Sequence, residues 1–160
     1  MALKLNHKIT GLRRQEMDKK KRGQKISVVI DTQITQEQQS EKHHFAETGQ
    51  LINIKENWYI RFVEHSETGE VPVTFRVDDS HEVRLTRKAE SQLNLLFKQD
   101  EKTDNYYVTP YGTMNITVFA SKVDAMIDVK NTSGQIEVSY QIITDGETVG
   151  NYQIKLHFNA

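Results

Sequence analysis

Two charged residues, Glu64 and Arg87, lie where the alternation of the sequence predicts that side chains point into the protein. Glu64 continues an alternating set of bulky apolar residues over 58–62, and Arg87 continues another over 83–85. A buried charge costs several kcal/mol unless it is paired, so each residue needs the other or an equivalent partner. The pair could form the polar floor of a cavity that holds a carboxylate or phosphate through Arg87. Because charge networks are often structural, we favour an internal ion pair near a barrel rim; a β-bulge that turns one residue outward is a third interpretation.

A second cluster consists of Tyr107, Thr109, Tyr111 and Gly112. Pro110 cannot donate to a ladder, so the cluster should lie at a strand end or edge. Gly112 can supply a positive φ or room for close packing. The tyrosine rings could line a mouth and stack on a ligand, but we favour a corner in which their hydroxyls tie down a loop. The four residues remain candidate ligand contacts.

Other chemistry is not indicated by the residue pattern. The adjacent His43 and His44 point to opposite faces of a strand, and the other histidines lack ligand spacing, so we expect no metal and no cofactor. The sequence has no Gly-x-Ser-x-Gly run, phosphate-binding glycine loop or nucleophile–base pair. An enzyme, a hydrolase or isomerase that uses Glu64 as an acid or base, is therefore the least favoured function.

The elements that must position these residues are β-strands. From Ile26 onward the chain alternates between apolar and polar residues in short segments separated by turns. The segments lie near 25–35, 42–48, 50–55, 57–66, 71–78, 82–88, 92–99, 105–109, 113–123, 124–131, 134–144 and 148–158. Some are halves of one bent strand, so we predict eight to ten strands; a helical turn within 87–97 is the alternative there. Tight turns at 67–70, 131–134 and 145–146 indicate antiparallel hairpins. Even spacing and the absence of a long crossover segment favour an all-β, closed antiparallel barrel over a sandwich.

Bulky residues occupy inward positions on most of the predicted strands: Trp58, Phe62, Phe75, Phe97, Tyr140, Tyr152 and Phe158. A barrel of about eight strands is either filled by side chains or holds one small ligand. This aromatic volume predicts a largely filled centre. Binding would then be confined to one mouth, beside Arg87 and the 107–112 corner, with Tyr140 as a further candidate contact.

Composition and charge divide the chain into two parts. The 160 residues are 36% apolar and 27% charged, which suits one polar domain without a membrane span. The absence of cysteine and of an apolar run over 1–12 favours a cytoplasmic location. Residues 1–25 carry a net charge of +7 and the remainder −8. We interpret 1–24 as a disordered basic arm and 25–160 as the barrel domain, with Met17 as an alternative start. The acidic body would repel nucleic acid, which could bind only through the arm.

Several runs of residues carry a resemblance to a known family. They are Tyr59–Glu64, Thr74–Val77, Leu85–Arg87, Phe97, Tyr107–Gly112, Gly134–Ile136 and Tyr140. Tyr-x-Thr-Pro-Tyr-Gly is the most specific of them. In order and spacing they resemble the YwiB-like family of uncharacterised bacterial proteins. The resemblance implies a calycin- or lipocalin-like β-barrel over about 25–158 and no particular activity. Ala89 stands where that family usually has glycine, and the Gly-x-Trp signature of lipocalins is absent before Trp58.

These observations lead to two main expectations of function. The first is a non-enzymatic binding module that holds a small anionic or amphipathic ligand at one barrel mouth. The alternative is a protein-interaction or structural accessory factor, with a filled barrel that contacts its partner through strand edges or the arm. An open cavity that reaches Arg87 would favour the first function, and an exposed row of tyrosines would favour the second. The oligomeric state is left open.

Overall fold

The computed structural model describes residues 23–160, which form ten β-strands and no helix. The strands are β1 Gln24–Gln36, β2 Gln39–Ile54, β3 Asn57–Ser66, β4 Gly69–Val77, β5 Val83–Lys88, β6 Gln92–Phe97, β7 Lys102–Thr109, β8 Gly112–Asp128, β9 Ser133–Thr144 and β10 Glu147–Asn159. In this part of the chain there is no helix of the length and apolarity needed to cross a membrane. The basic arm predicted over 1–24 lies outside the described residues, apart from Gly23 and the first residue of β1.

The strands form one closed antiparallel barrel, in which each strand pairs with its neighbours in sequence and β1 also pairs with β10. The closing ladder runs from Ser27↔Asn159 to Thr35↔Asn151. Closure leaves the sheet without a terminal edge strand, because the first and last strands satisfy each other's backbone groups. The predicted all-β antiparallel barrel is confirmed, and it is consistent with the calycin-like fold that the resemblance implies.

Turn residues end the strands as their backbone chemistry predicts. In the β9–β10 turn, Asp145 has a φ of 50° and Gly146 a φ of 78°, the backbone of a two-residue type I′ hairpin. Pro110 follows the last residue of β7, and Gly112 begins β8 with a φ of 137°. Pro110 therefore ends a strand, and Gly112 supplies the positive φ that the sequence suggested.

Two pairs of predicted segments are single long strands. Segments 42–48 and 50–55 both lie in β2, and segments 113–123 and 124–131 lie mainly in β8. The register between β8 and β9 shifts between Ala120 and Lys122. This irregularity lets β8 bend around the barrel without ending, which is what a β-bulge does. The segment near 92–99 is a strand, as favoured over a helical turn.

The inward side chains of all ten strands form one core with two different ends. One end carries the β2–β3, β4–β5, β6–β7 and β8–β9 turns, and we call it the closed half. Its inward side chains are almost completely buried, among them Ile26, Ile60, Leu95, Phe97, Ile136 and Phe158. The opposite end carries the other five turns, and we call it the open half. Glu64 is one of two buried polar residues in the described chain and lies in the open half.

The backbone ladder between β2 and β3 is shorter than either strand. It covers only Gly49↔Phe62 to Ile54↔Asn57. Among the described residues, the first part of β2 pairs with β1 alone and the last part of β3 with β4 alone. A Cβ at Gly49 would lie 2.5 Å from the Arg61 carbonyl oxygen, so only glycine allows the approach at which the ladder begins. We call the unpaired stretch, residues 39–48 beside 63–66, the β2–β3 seam; it lies in the open half.

A second short ladder, between β6 and β7, is completed by side chains. Backbone pairing covers only Gln92↔Val108 to Asn94↔Tyr106. Beyond it, the Leu96 N–H donates to Asn105 Oδ1 at 2.9 Å, and the Thr103 hydroxyl donates to the Leu96 carbonyl at 2.6 Å. Asn105 is buried. These side chains satisfy backbone groups that the ladder leaves without partners.

Candidate functional site

The open half of the barrel encloses a cavity of about 800 Å³ that is open to solvent at the rim. All ten strands contribute to its wall. The apolar part of the wall includes Ile30, Phe45, Phe75, Leu85, Ile116 and Ile154. A volume of this size lies within the range of small-molecule sites, which are typically apolar clefts with a few polar groups that fix orientation.

Glu64 and Arg87 form an ion pair on this wall. Arg87 Nη2 donates to Glu64 Oε2 at 2.6 Å. The registers Glu64↔Val71 and Val73↔Arg87 bring both side chains inward on either side of β4. The Glu64 side chain is 8% exposed and that of Arg87 is 41% exposed, so the carboxylate is buried while the arginine side chain is partly open to solvent. The predicted inward placement and pairing are confirmed; contact with a ligand stays a prediction.

Two of the aromatic rings on the cavity wall stack on each other. Tyr140 and Tyr152 are cross-strand partners, and their rings stack with centroids 5.0 Å apart at an angle of 12°. Phe97 packs on Tyr140 with a centroid distance of 4.6 Å. The expectation of a filled centre is therefore confirmed for the closed half and wrong for the open half. The physical reason is that ten strands enclose a wider interior than eight, so stacked rings cover the wall without filling the centre.

The Tyr140 hydroxyl remains protonated over the physiological pH range. Burial raises the pKa of this phenol, and the nearby Tyr152 raises it further, against the opposing influence of Arg87. A neutral phenol can both donate and accept a hydrogen bond. Tyr140 therefore offers the cavity a polar contact that carries no charge.

Four of the candidate contacts line the cavity together: Glu64, Arg87, Tyr107 and Tyr140. The other three form or flank the β7–β8 turn and do not line it. Thr109 Oγ1 donates to the Gly112 carbonyl at 2.9 Å and accepts from the Tyr111 N–H at 3.2 Å. Tyr111 is 99% exposed. A hydroxyl does fasten this corner, as the favoured interpretation expected, but it belongs to a threonine.

The mouth has polar residues that sequence reasoning missed: Thr32, His43, Ser66, Thr68, Glu90 and Ser91. Thr32 and Ser66 share the inward parity of β1 and β3, so alternation could have identified them. Glu90 and Ser91 lie in a turn, where strand alternation does not predict which way a side chain points.

Arg87 is the one lysine or arginine on the described cavity wall. Within residues 23–160 no three histidine, aspartate or glutamate side chains gather as metal ligands would.

Comparison with known protein families shows which family this barrel belongs to. The sequence matches the family described as a domain of unknown function, DUF1934, over residues 28–156. The chain belongs to the DUF1934 family. The matched range runs from within β1 to within β10, so the DUF1934 domain and the barrel described above are essentially the same unit. No curated protein matches the sequence significantly.

A solved structure has the same fold as this DUF1934 chain. The YwiB protein from Bacillus subtilis superimposes with a TM-score of 0.72 and 17% identity, over 85% of this chain and 91% of that protein. At this level of identity the likeness shows the fold alone. Together with the family match, it confirms the resemblance to the YwiB-like family of uncharacterised bacterial proteins.

Proposed function

We propose that this DUF1934 barrel is a binding module for a small amphipathic molecule. The molecule lies in the open half, with its polar group beside Glu64 and Arg87. The observation that carries the proposal is the cavity of about 800 Å³, with apolar walls and one ion pair near its mouth. Burial of an apolar chain there is favourable by about 0.8 kcal/mol for each methylene group.

The ion pair suits a ligand group that accepts hydrogen bonds, such as a carboxylate. It does not provide strong affinity for anions by itself. Arg87 uses Nη2 for Glu64, and the rest of its guanidinium retains further N–H donors on the cavity wall. Glu64 and Glu90 line the same cavity and carry negative charge, so they oppose the accumulation of anions. The apolar part of the ligand therefore supplies most of the binding free energy, and Arg87 orients the polar end.

Calorimetric titration with dodecanoate, acetate and inorganic phosphate tests this proposal. We expect dodecanoate to bind at least about 100-fold more tightly than acetate or phosphate, because only dodecanoate buries apolar surface. Arg87→Met should weaken dodecanoate binding about tenfold, or ~1.4 kcal/mol. The matched control is Arg84→Met, on the outer face of the same strand, where Arg84 Nη1 donates to Asn94. This control should bind dodecanoate as the unaltered protein does.

Two results would contradict the proposal. Equal, weak affinity for all three compounds would show that the cavity does not use its apolar walls. Equal losses in Arg87→Met and Arg84→Met would show that Arg87 has no special contact with the polar end.

A second function, contact with a protein partner, is supported by the outer surface of the β7–β8 hairpin. Tyr106 is 61% exposed, Val108 on the same face of β7 is 44% exposed, and Tyr111 at the tip is almost fully exposed. Tyrosine is enriched in the residues that dominate protein interfaces. A photo-crosslinking amino acid at position 111 should capture one protein species in producing cells, and the same group at Glu147, on another turn of the open half, should not. Capture of the same proteins at both positions would contradict a specific partner contact at the β7–β8 hairpin.

A further inference from the structure

The β2–β3 seam interrupts the barrel wall beside the cavity. His43 and Phe45 line the cavity from β2, and Glu64 and Ser66 line it from β3. The two sides of the seam are therefore also walls of the cavity. Between the described residues of the two sides there is no ladder, since backbone pairing ends at Gly49↔Phe62. The wall is thus weakest where the cavity lies directly behind it.

The Glu47 side chain joins the two sides of the seam. Glu47 of β2 accepts from the His65 backbone N–H at 3.0 Å through Oε1, and it contacts His65 Nδ1 at 2.9 Å through Oε2. On the far side, His65 Nε2 lies 3.4 Å from Glu70 Oε1 of β4. The Glu47 side chain is only 15% exposed, so its carboxylate occupies the wall at the point where the ladder is missing. A few local bonds of this kind open more easily than a complete ladder.

We infer that the β2–β3 seam is a lateral entrance to the cavity, and that Glu47 and His65 form the latch that holds it closed. The inference rests on the proposed function, because an entrance matters only if the cavity takes a ligand. When the latch opens, the sides separate between Phe45 and Ser66. An elongated amphipathic molecule then passes through the wall, and its polar end arrives beside Glu64. The latch sets the rate of exchange and makes no contact with the bound molecule.

Hydrogen exchange measured by NMR tests the latch without any ligand. Glu47→Ala removes the acceptor of the His65 amide, which should then exchange at least about tenfold faster. The Arg61 amide, within the remaining β2–β3 ladder, should keep its rate. The matched control is Glu41→Ala, on the same strand, where the Glu41 carboxylate lies 3.5 Å from His43 Nε2. An unchanged rate for the His65 amide in Glu47→Ala would show that Glu47 does not hold the seam.

Stopped-flow binding of the amphipathic fluorophore 8-anilinonaphthalene-1-sulfonate tests the entrance. The chain has no cysteine, so a bismaleimide can join His44→Cys, on one side of the seam, to Glu67→Cys, the residue that follows the other side at the end of β3. This cross-link should slow association and dissociation at least about fivefold while Kd changes by less than about twofold, because an entrance affects rates and not affinity. Glu47→Ala should accelerate both rates. The control cross-link joins Gln50→Cys to Arg61→Cys, partners in the intact ladder, and should leave the rates unaltered.

The outcomes separate this inference from the proposed function. Normal binding of the fluorophore with unaltered rates across the seam cross-link would overturn the lateral entrance and leave the proposed function standing. Failure of the fluorophore to bind any form of the protein would overturn both. Slower association and dissociation of the fluorophore confined to the seam cross-link, together with faster association and dissociation in Glu47→Ala, supports both the lateral entrance and the proposed function.

Discussion

Glu64 keeps a carboxylate in the barrel wall because Arg87 reaches it from the strand beyond β4. That both residues point inward could be predicted, since the alternation of a strand is a local property of the sequence. Their contact depends on two registers, Glu64↔Val71 and Val73↔Arg87, which are set by neighbouring hairpins. From the sequence alone, each charge needed a partner, and the other member of the pair was one candidate. The strand registers bring these two side chains together.

Removal of one member of this pair should destabilise the fold. Arg87→Met leaves the Glu64 carboxylate buried without its partner, and we expect a loss of about 2–3 kcal/mol in the free energy of unfolding. The loss should fall below that of a fully buried pair, because solvent reaches Arg87. Glu64→Gln combined with Arg87→Met should lose less than the sum of the two single changes. Urea unfolding of the three variants measures these values; additive losses below about 0.5 kcal/mol would show that the two side chains do not stabilise each other.

The pKa of His65 should lie above the ordinary value for histidine. Its hydrogen bond to Glu47 is the main cause, with smaller contributions from the charges of Glu47 and Glu70, and together they raise the pKa of His65 above 6.5. The His65 backbone N–H in turn is the main cause that lowers the pKa of Glu47 below 4.5. NMR titration of the imidazole protons should show the raised pKa in the unaltered protein and a lower pKa in Glu47→Gln. Glu41→Gln, beside His43, should leave the pKa of His65 unchanged.

The same contact gives stability a defined pH dependence. Because the pKa of folded His65 is raised, its contribution is fully present below 6.5 and is lost as pH rises through the raised pKa. Because the pKa of folded Glu47 is lowered, its contribution is present above 4.5 and is lost as pH falls through the lowered pKa. The contact should therefore stabilise most between about pH 4.5 and 6.5, with a small amplitude because the His65 side chain is exposed to solvent. A difference in stability between the unaltered protein and Glu47→Gln that stays constant from this range to pH values well below and well above it would contradict the assignment.

The strands show which features of an element the sequence can specify. Alternation predicted a segment within each of the ten strands, and turn residues predicted several of the breaks between them, because both signals act over a few residues. The apparent break in β2 between 42–48 and 50–55 has another meaning in the structure: the strand continues, and at Gly49 it acquires β3 as a second neighbour. A missing ladder such as the β2–β3 seam depends on the separation of two strands, which no local pattern records. The same holds for Asn105, whose bond to Leu96 completes the β6–β7 junction.

Gly49→Ala should weaken the junction of β2 with β3. The added methyl group would lie 2.5 Å from the Arg61 carbonyl oxygen and 3.1 Å from Phe62 Cβ. The backbone of β2 or β3 must therefore move. Overpacking of this kind typically costs about 1–3 kcal/mol, and we expect that loss in urea unfolding. Thr48→Ala, at the preceding exposed residue, is the control and should change stability by less than about 0.5 kcal/mol. Equal stability of the two variants would show that the strands can separate there without cost.

At the scale of the whole molecule, the barrel combines a packed half with an open half. The aromatic content suggested a filled centre, and the closed half agrees. Whether rings cross a barrel or lie along its wall depends on the number of strands and on side-chain rotamers, neither of which alternation determines. Ten strands together with the stacking of Tyr140 on Tyr152 leave the cavity open. The division into halves makes a distinctive prediction for binding, because isoleucines occur in both.

Methyl NMR of isoleucine during titration with dodecanoate tests the central claim most directly. The methyl signals of Ile30, Ile116 and Ile154, on the cavity wall, should shift progressively and saturate. Those of Ile26, Ile60 and Ile136, in the closed half, should stay in place and serve as internal controls. Saturable shifts confined to the first group are the result that a ligand in the open half predicts. Shifts spread equally over both groups, or no shifts in either, would contradict the account of this barrel as a binding module.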